Sequence, residues 1–164
     1  MRDKPVLVSL GVGLSIRAMI TEIKIVDSKE SDLEDIVSLF RQLWPDKAVN
    51  SHELVKVFKK SIESENDKCL SVKLDGKTVG FCAITFANNF WQEGTIAQIS
   101  TMVVDEAYRN KGIGKKLLQR AIAIAQMRDC KKLELESSFH RTSAHGFYEK
   151  NGFKKRAYYF SIDI

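Results

Sequence analysis

Residues 101–116 read TMVVDEAYRNKGIGKK, and this stretch decides the fold. An apolar strand runs up to Val104, a polar loop follows, and Arg109-Asn110-Lys111-Gly112-Ile113-Gly114 opens a helix that continues to Met127. Glycines at a strand-to-helix turn let backbone N–H groups approach a ligand closely. The helix N-terminus adds partial positive charge, so a pyrophosphate fits there. Two other phosphate loops are excluded by spacing. The dinucleotide fingerprint needs a third glycine, and the Walker loop needs Gly-x-x-x-x-Gly-Lys-Ser/Thr. Gly76-Lys77-Thr78 sits in a hairpin turn and reads as only that.

Outward from this segment, the pattern predicts a strand over 20–26 and a helix over 33–44. Ser31 and Glu34 form a capping box for that helix, and Pro45 stops it. A second helix starts at a Ser51 cap, with Leu54, Val55, Phe58 and Ile62 on one face. Residues 70–74 and 78–86 form a hairpin around Asp75-Gly76. Residues 96–104 and 132–136 are strands. The helix from Gly112 turns Ile113, Leu117, Leu118, Ala121, Ile124 and Ala125 inward. A short helix spans 142–150 and ends at Asn151-Gly152, and 156–164 alternates as a last strand. The order β-α-α-β-β-β-α-β-α-β predicts an α/β (α+β) domain: a mixed, mostly antiparallel twisted sheet with helices on both faces and a right-handed β-α-β crossover.

The chain has 164 residues, 44% hydrophobic and 29% charged, which suits one globular domain. Its 2 Pro and 9 Gly exclude collagen and low-complexity linkers. No apolar run reaches the roughly 18 residues of a membrane span. Cys69, Cys82 and Cys130 are odd in number and unpaired in spacing, which points to a reducing, cytoplasmic setting. Val6–Ile16 resembles a weak secretory signal, but Asp3 and Arg17 flank it and no small-x-small site follows. Residues 1–18 are therefore read as an extension before a domain at 19–164. The net charge of +5 is uneven: residues 21–90 hold 12 acids and 10 bases, and 91–164 hold 8 acids and 13 bases. Arg109, Lys111, Lys115, Lys116 and Arg120 form a cationic run suited to a polyanion.

Arg109-x-x-Gly112-x-Gly114, the strand Met102-Val103-Val104 before it and Ala144-x-x-Phe147-Tyr148-x-x-x-Gly152-Phe153 after it together resemble the GCN5-related N-acetyltransferase superfamily. The resemblance covers about residues 20–164. It implies that acetyl-coenzyme A lies between the strand ending at Val104 and the strand around Glu134. The backbone of Met102, Val103 and Val104 would pair with the pantetheine arm. Asn110, Lys111, Gly112, Ile113, Gly114 and Lys115 would wrap the pyrophosphate, with Arg109 beside them. Tyr148 matches the family's phenolic acid, which protonates the leaving thiolate.

The same resemblance places a general-base Glu near Gln98, and an amide cannot take a proton at neutral pH. Glu93 and Glu136 are the nearest carboxylates along the chain, and ordered water is a further route. Many relatives carry Asn where Arg141 stands. Leu43-Trp44-Pro45 resembles some aminoglycoside 6'-N-acetyltransferases, and the segment from His140-Arg141 to Tyr148 resembles aminoalkylphosphonate N-acetyltransferases. The expected acceptor is thus a small-molecule amine, with no nucleic acid, membrane or metal partner. His140 and His145, five apart, suit no shared metal. A nucleic-acid module lacks a groove-reading motif. A coenzyme A-binding regulator and a protein N-acetyltransferase are the alternatives, and a homodimer is compatible with each.

Overall fold

The computed structural model describes residues 22–164, so Ile20 and the extension at 1–18 lie outside the described residues. Five strands form one sheet in the order β1 (Lys24–Asp27), β2 (Asp67–Leu74), β3 (Lys77–Asn89), β4 (Gly94–Val104) and β5 (Lys132–Leu135). β1 to β4 are antiparallel neighbours, and β5 runs parallel to β4. The β2–β3 turn is Asp75-Gly76, with φ values of 49° and 80°. Two successive left-handed residues give the tight turn whose twist matches a hairpin, as the Asp-Gly pair predicts.

Helices cover both faces, as expected. On one side, α1 (Leu33–Leu43) and α2 (Ser51–Glu63) bury Ile36, Leu39, Phe40 and Phe58 against Cys69, Phe81 and Val103. On the other, α3 (Ile113–Met127) presses its stripe onto Leu70, Val72, Cys82, Ile84, Ala97 and Ile99. All six α3 positions expected to face inward are buried. The last helix, α4 (Thr142–Lys150), joins the α3 side through Phe147 and Tyr148.

Three local expectations are corrected. Ser31 does not cap α1. Asp32 stands at its N-cap, and its carboxylate accepts the Lys29 N–H at 3.1 Å. Asp32 is drawn there because Ser71 and Lys73 also reach it from β2, at 2.7 and 2.6 Å. Asn50 rather than Ser51 caps α2, its side-chain oxygen accepting the N–H groups of His52 and Glu53 at 3.1 and 3.2 Å. Finally, residues 156–164 form no strand. Alternation says which face a strand would bury, but it supplies no partner, and β5 offers an edge only four residues long.

Candidate active site

The parallel ladder between β4 and β5 is short. Ile96, Ala97, Gln98 and Ile99 pair with Lys132, Leu133, Glu134 and Leu135, and there it stops. Among the described residues, Thr101 to Val104 pair with β3 alone, and Ser100 pairs with neither neighbouring strand. The register on that side shifts between Ala83 and Ile84, which leaves Ser100 as the extra residue of a bulge. A bulge kinks its strand and increases local twist, which turns β4 away from β5. The result is a fork with an unpaired backbone edge of five residues, about 16 Å at 3.3 Å per residue. At its far end Arg109 Nε donates to the Val104 carbonyl at 3.0 Å, which closes the edge at that point.

The glycine loop sits over this far end. Asn110 and Gly112 take left-handed conformations, φ 61° and 78°, and Gly112 is the N-cap of α3. A Cβ on Gly112 would meet no atom within 4 Å, so its backbone faces open space. A Cβ on Gly114 would lie 3.6 Å from Phe147 and 3.8 Å from Val104, so this glycine keeps loop, strand end and α4 in close contact. Ile113 is 2% exposed and belongs to the core, as does Val103 at 4%, so each can offer a ligand only its backbone. Met102 and Val104 are half-buried against the α3 core. Lys111 is turned back, Nζ donating to the Ala107 carbonyl at 3.0 Å above the Tyr108 ring. Lys115, Lys116 and Arg120 are exposed, and the ion pairs among the described residues include none of them. Arg109 also reaches Glu106 at 3.4 Å, so it braces the loop from below.

Tyr148 packs between Phe147 and Phe153, with ring centroids 5.3 and 5.7 Å apart. Burial pushes its phenol up to about 12, with Cys82 adding and the Arg141 cation opposing. The phenol therefore keeps its proton at neutral pH. Arg141, at the start of α4, also donates from Nη2 to the Leu43 carbonyl at 2.9 Å, tying α4 to the end of α1. On the opposite wall, Gln42 receives the Glu106 N–H at 3.0 Å. The end of α1 is thus fixed to both the glycine loop and α4.

The expected carboxylates separate. Gln98 is exposed two residues before the fork, and Glu136 is exposed one residue past β5, level with the fork. Glu93 lies in the β3–β4 turn at the other end of β4, φ 49°, and the structure does not bring it to the fork. Glu134, not singled out from the sequence, pairs with Gln98 across the ladder, a neighbourhood visible only in the register. His145 Nε2 lies 3.1 Å from the Ser138 carbonyl, and no group of three metal-ligating side chains is found among the described residues. No helix among them is long and apolar enough to cross a membrane.

The chain is 30% identical over 101 residues to an uncharacterized N-acetyltransferase of Methanocaldococcus jannaschii, covering 60% of this chain and 44% of that one. It spans about half the length of the relatives it matches. Among solved structures it superposes on a transcriptional regulator from Bacillus halodurans C-125, with a TM-score of 0.76, 24% identity, and 87% of this chain and 100% of that one covered. It is also similar to an aminoglycoside N-acetyltransferase in complex with CoA, with a TM-score of 0.75, 16% identity, and 88% and 97% covered. The profile of the Acetyltransferase (GNAT) family matches residues 33–153, which contain the fork, the glycine loop and Tyr148, and the chain belongs to that family.

Proposed function

We propose that the chain moves an acetyl group from acetyl-coenzyme A to a primary amine of a small molecule, by direct attack in one ternary complex. The observation that carries this reading is the fork itself. An open backbone edge at 100–104 runs toward a glycine loop whose backbone and uncommitted lysines face outward. An amide-bearing pantetheine arm pairs with such an edge as an added strand does. The pyrophosphate then meets the α3 N-terminus, Lys115 and Lys116. These residues fit the cosubstrate, which supplies the activated acyl carbon as a thioester.

The residues of the chain supply the rest. The amine must shed a proton to attack, its nitrogen then bonds to the acyl carbon, and the carbon–sulfur bond breaks. The products are an amide, a thiol and one proton released to solvent. Backbone N–H groups of the β4 edge can donate to the acyl oxygen as charge grows there. Tyr148 can donate its proton to the departing sulfur and regain one from water. Burial, which pushes its phenol up to about 12, keeps that proton in place until the sulfur leaves.

A coenzyme A-binding regulator without turnover is the second reading, favoured by the amide of Gln98 where a carboxylate would serve. Turnover of acetyl-coenzyme A across aminoglycosides, polyamines, aminoalkylphosphonates and peptides separates the two. Thiol release that depends on a small amine supports the transferase. Saturable cofactor binding without release on any acceptor supports the regulator.

A further inference from the structure

Gln98 and Glu134 face each other across the last rungs of the β4–β5 ladder. Neighbours paired in this way put their side chains on one face of the sheet, with strands about 4.8 Å apart. Leu133 and Leu135 pack into the α3 core, so Glu134 points to the opposite face, where Gln98 is exposed. That face is the one α1 and α2 cover only in part. It holds a carboxylate beside the amide, one rung before the last of the ladder.

Glu134 already holds a cation. Arg156 Nη1 lies 3.3 Å from its Oε1, with the two side chains 53% and 41% exposed. The guanidinium comes from the segment past α4, which joins no helix or strand. An ion pair this exposed favours the closed arrangement only about two- to fivefold. It marks where a cation sits at the fork without holding the position firmly.

We propose that Glu134 receives the ammonium group of the acceptor, and that Arg156 occupies its place in the free protein and is displaced by it. This rests on the transferase reading above. The acceptor is then a cationic primary amine whose charge replaces a guanidinium. The other carboxylates are less suited. Glu136 lies past the end of the ladder. Asp67 shares the row but accepts the Thr85 hydroxyl at 2.8 Å, two strands from Gln98.

The test measures turnover with kanamycin, spermidine and 2-aminoethylphosphonate for the parent, Glu134→Gln, Arg156→Gln and the double variant, with acetyl-coenzyme A affinity measured alongside by calorimetry. Glu134→Gln should raise the acceptor KM about two- to fivefold and leave cofactor affinity unchanged. Arg156→Gln should lower the acceptor KM about two- to fivefold, and this gain should vanish in the double variant. An unchanged acceptor KM in either single variant, or a gain that persists in the double, would overturn the proposal. If the parent binds the cofactor but acetylates no amine, the transferase reading fails. The cation site is then read from the Arg156 Nε–H signal in NMR. Spermidine should move that signal toward the position it takes in Glu134→Gln, and an unmoved signal would overturn the proposal.

Discussion

The two sides of β4 are built on opposite terms. On the β1–β3 side the buried polar side chains among the described residues are answered within the chain. Asp32, 2% exposed, accepts from Lys73 at 2.6 Å and Ser71 at 2.7 Å. Lys73 also reaches the Thr78 hydroxyl at 2.7 Å, Ser71 meets Ser28 at 2.8 Å, and Asp35 takes the Thr78 N–H at 2.7 Å. This closed network pins the start of α1 to the β2–β3 hairpin. On the β5 side the ladder ends after four rungs, Lys115 and Lys116 join no ion pair among the described residues, and five residues of backbone lack a strand. A charge answered in a buried network fixes the fold, and a charge left unanswered, or paired only at the exposed surface as Glu134 is, is available to a ligand. Comparing the two sides therefore says where to cut for stability and where to cut for activity.

The largest effect is expected at the open side. Tyr148→Phe removes one oxygen and keeps the ring packing, so turnover should fall by about 10²–10⁴ while acetyl-coenzyme A affinity stays near normal. Single-turnover kinetics with calorimetry check the split. Retained turnover would make Tyr148 a packing residue, and lost affinity would make it a cofactor-positioning one.

The closed side should break differently. Asp32→Asn leaves the Lys73 ammonium without its counter-charge and should lower unfolding stability by about 3 kcal/mol. Urea midpoints should show this with kcat little changed at temperatures where the variant is folded. The pH dependence follows from the same network. Burial alone would push the Asp32 carboxyl up. The hydrogen bonds from Lys73, Ser71 and the Lys29 backbone, with the charge of Lys73, outweigh that and hold it below its ordinary 3.8. A depressed carboxylate stabilises the fold fully above its unfolded value near 3.8 and loses that contribution as pH falls through the lower folded value. The parent should therefore lose stability below about pH 4 more steeply than Asp32→Asn does.

Gly112→Val puts a branched side chain into the open space beside the loop and strains a position at φ 78°. Acetyl-coenzyme A affinity should weaken about tenfold or more, which is about 1.4 kcal/mol per decade. Circular dichroism checks that the fold remains. The smallest effect is expected from Lys115→Gln, about two- to fivefold weaker binding at low salt, shrinking as salt rises.

Most of the fold was legible because its signals are local. The α3 stripe, the Asp75-Gly76 turn and the stop at Pro45 depend on neighbours within a few residues. Caps were less so: the Asp32 carboxylate turns to Ser71 and Lys73, about 40 residues away, and makes no hydrogen bond to an α1 N–H. The strand expected at 156–164 failed because pairing depends on a partner edge that alternation does not report. At the candidate site, the glycine loop could be located from spacing, and Tyr148 from the family resemblance. Glu134 could not, because its place beside Gln98 is a matter of register between β4 and β5. Arg141 likewise gives no local hint of its bond to the Leu43 carbonyl.

The central claim is that the β4 edge and the glycine loop hold acetyl-coenzyme A. Titrating the cofactor into labelled protein and following the backbone amide signals tests it most directly. The account predicts saturable shifts at Ser100–Val104 and Asn110–Lys115, with the β1–β2 amides unmoved. Saturable shifts confined to other elements, or none at all, would contradict it.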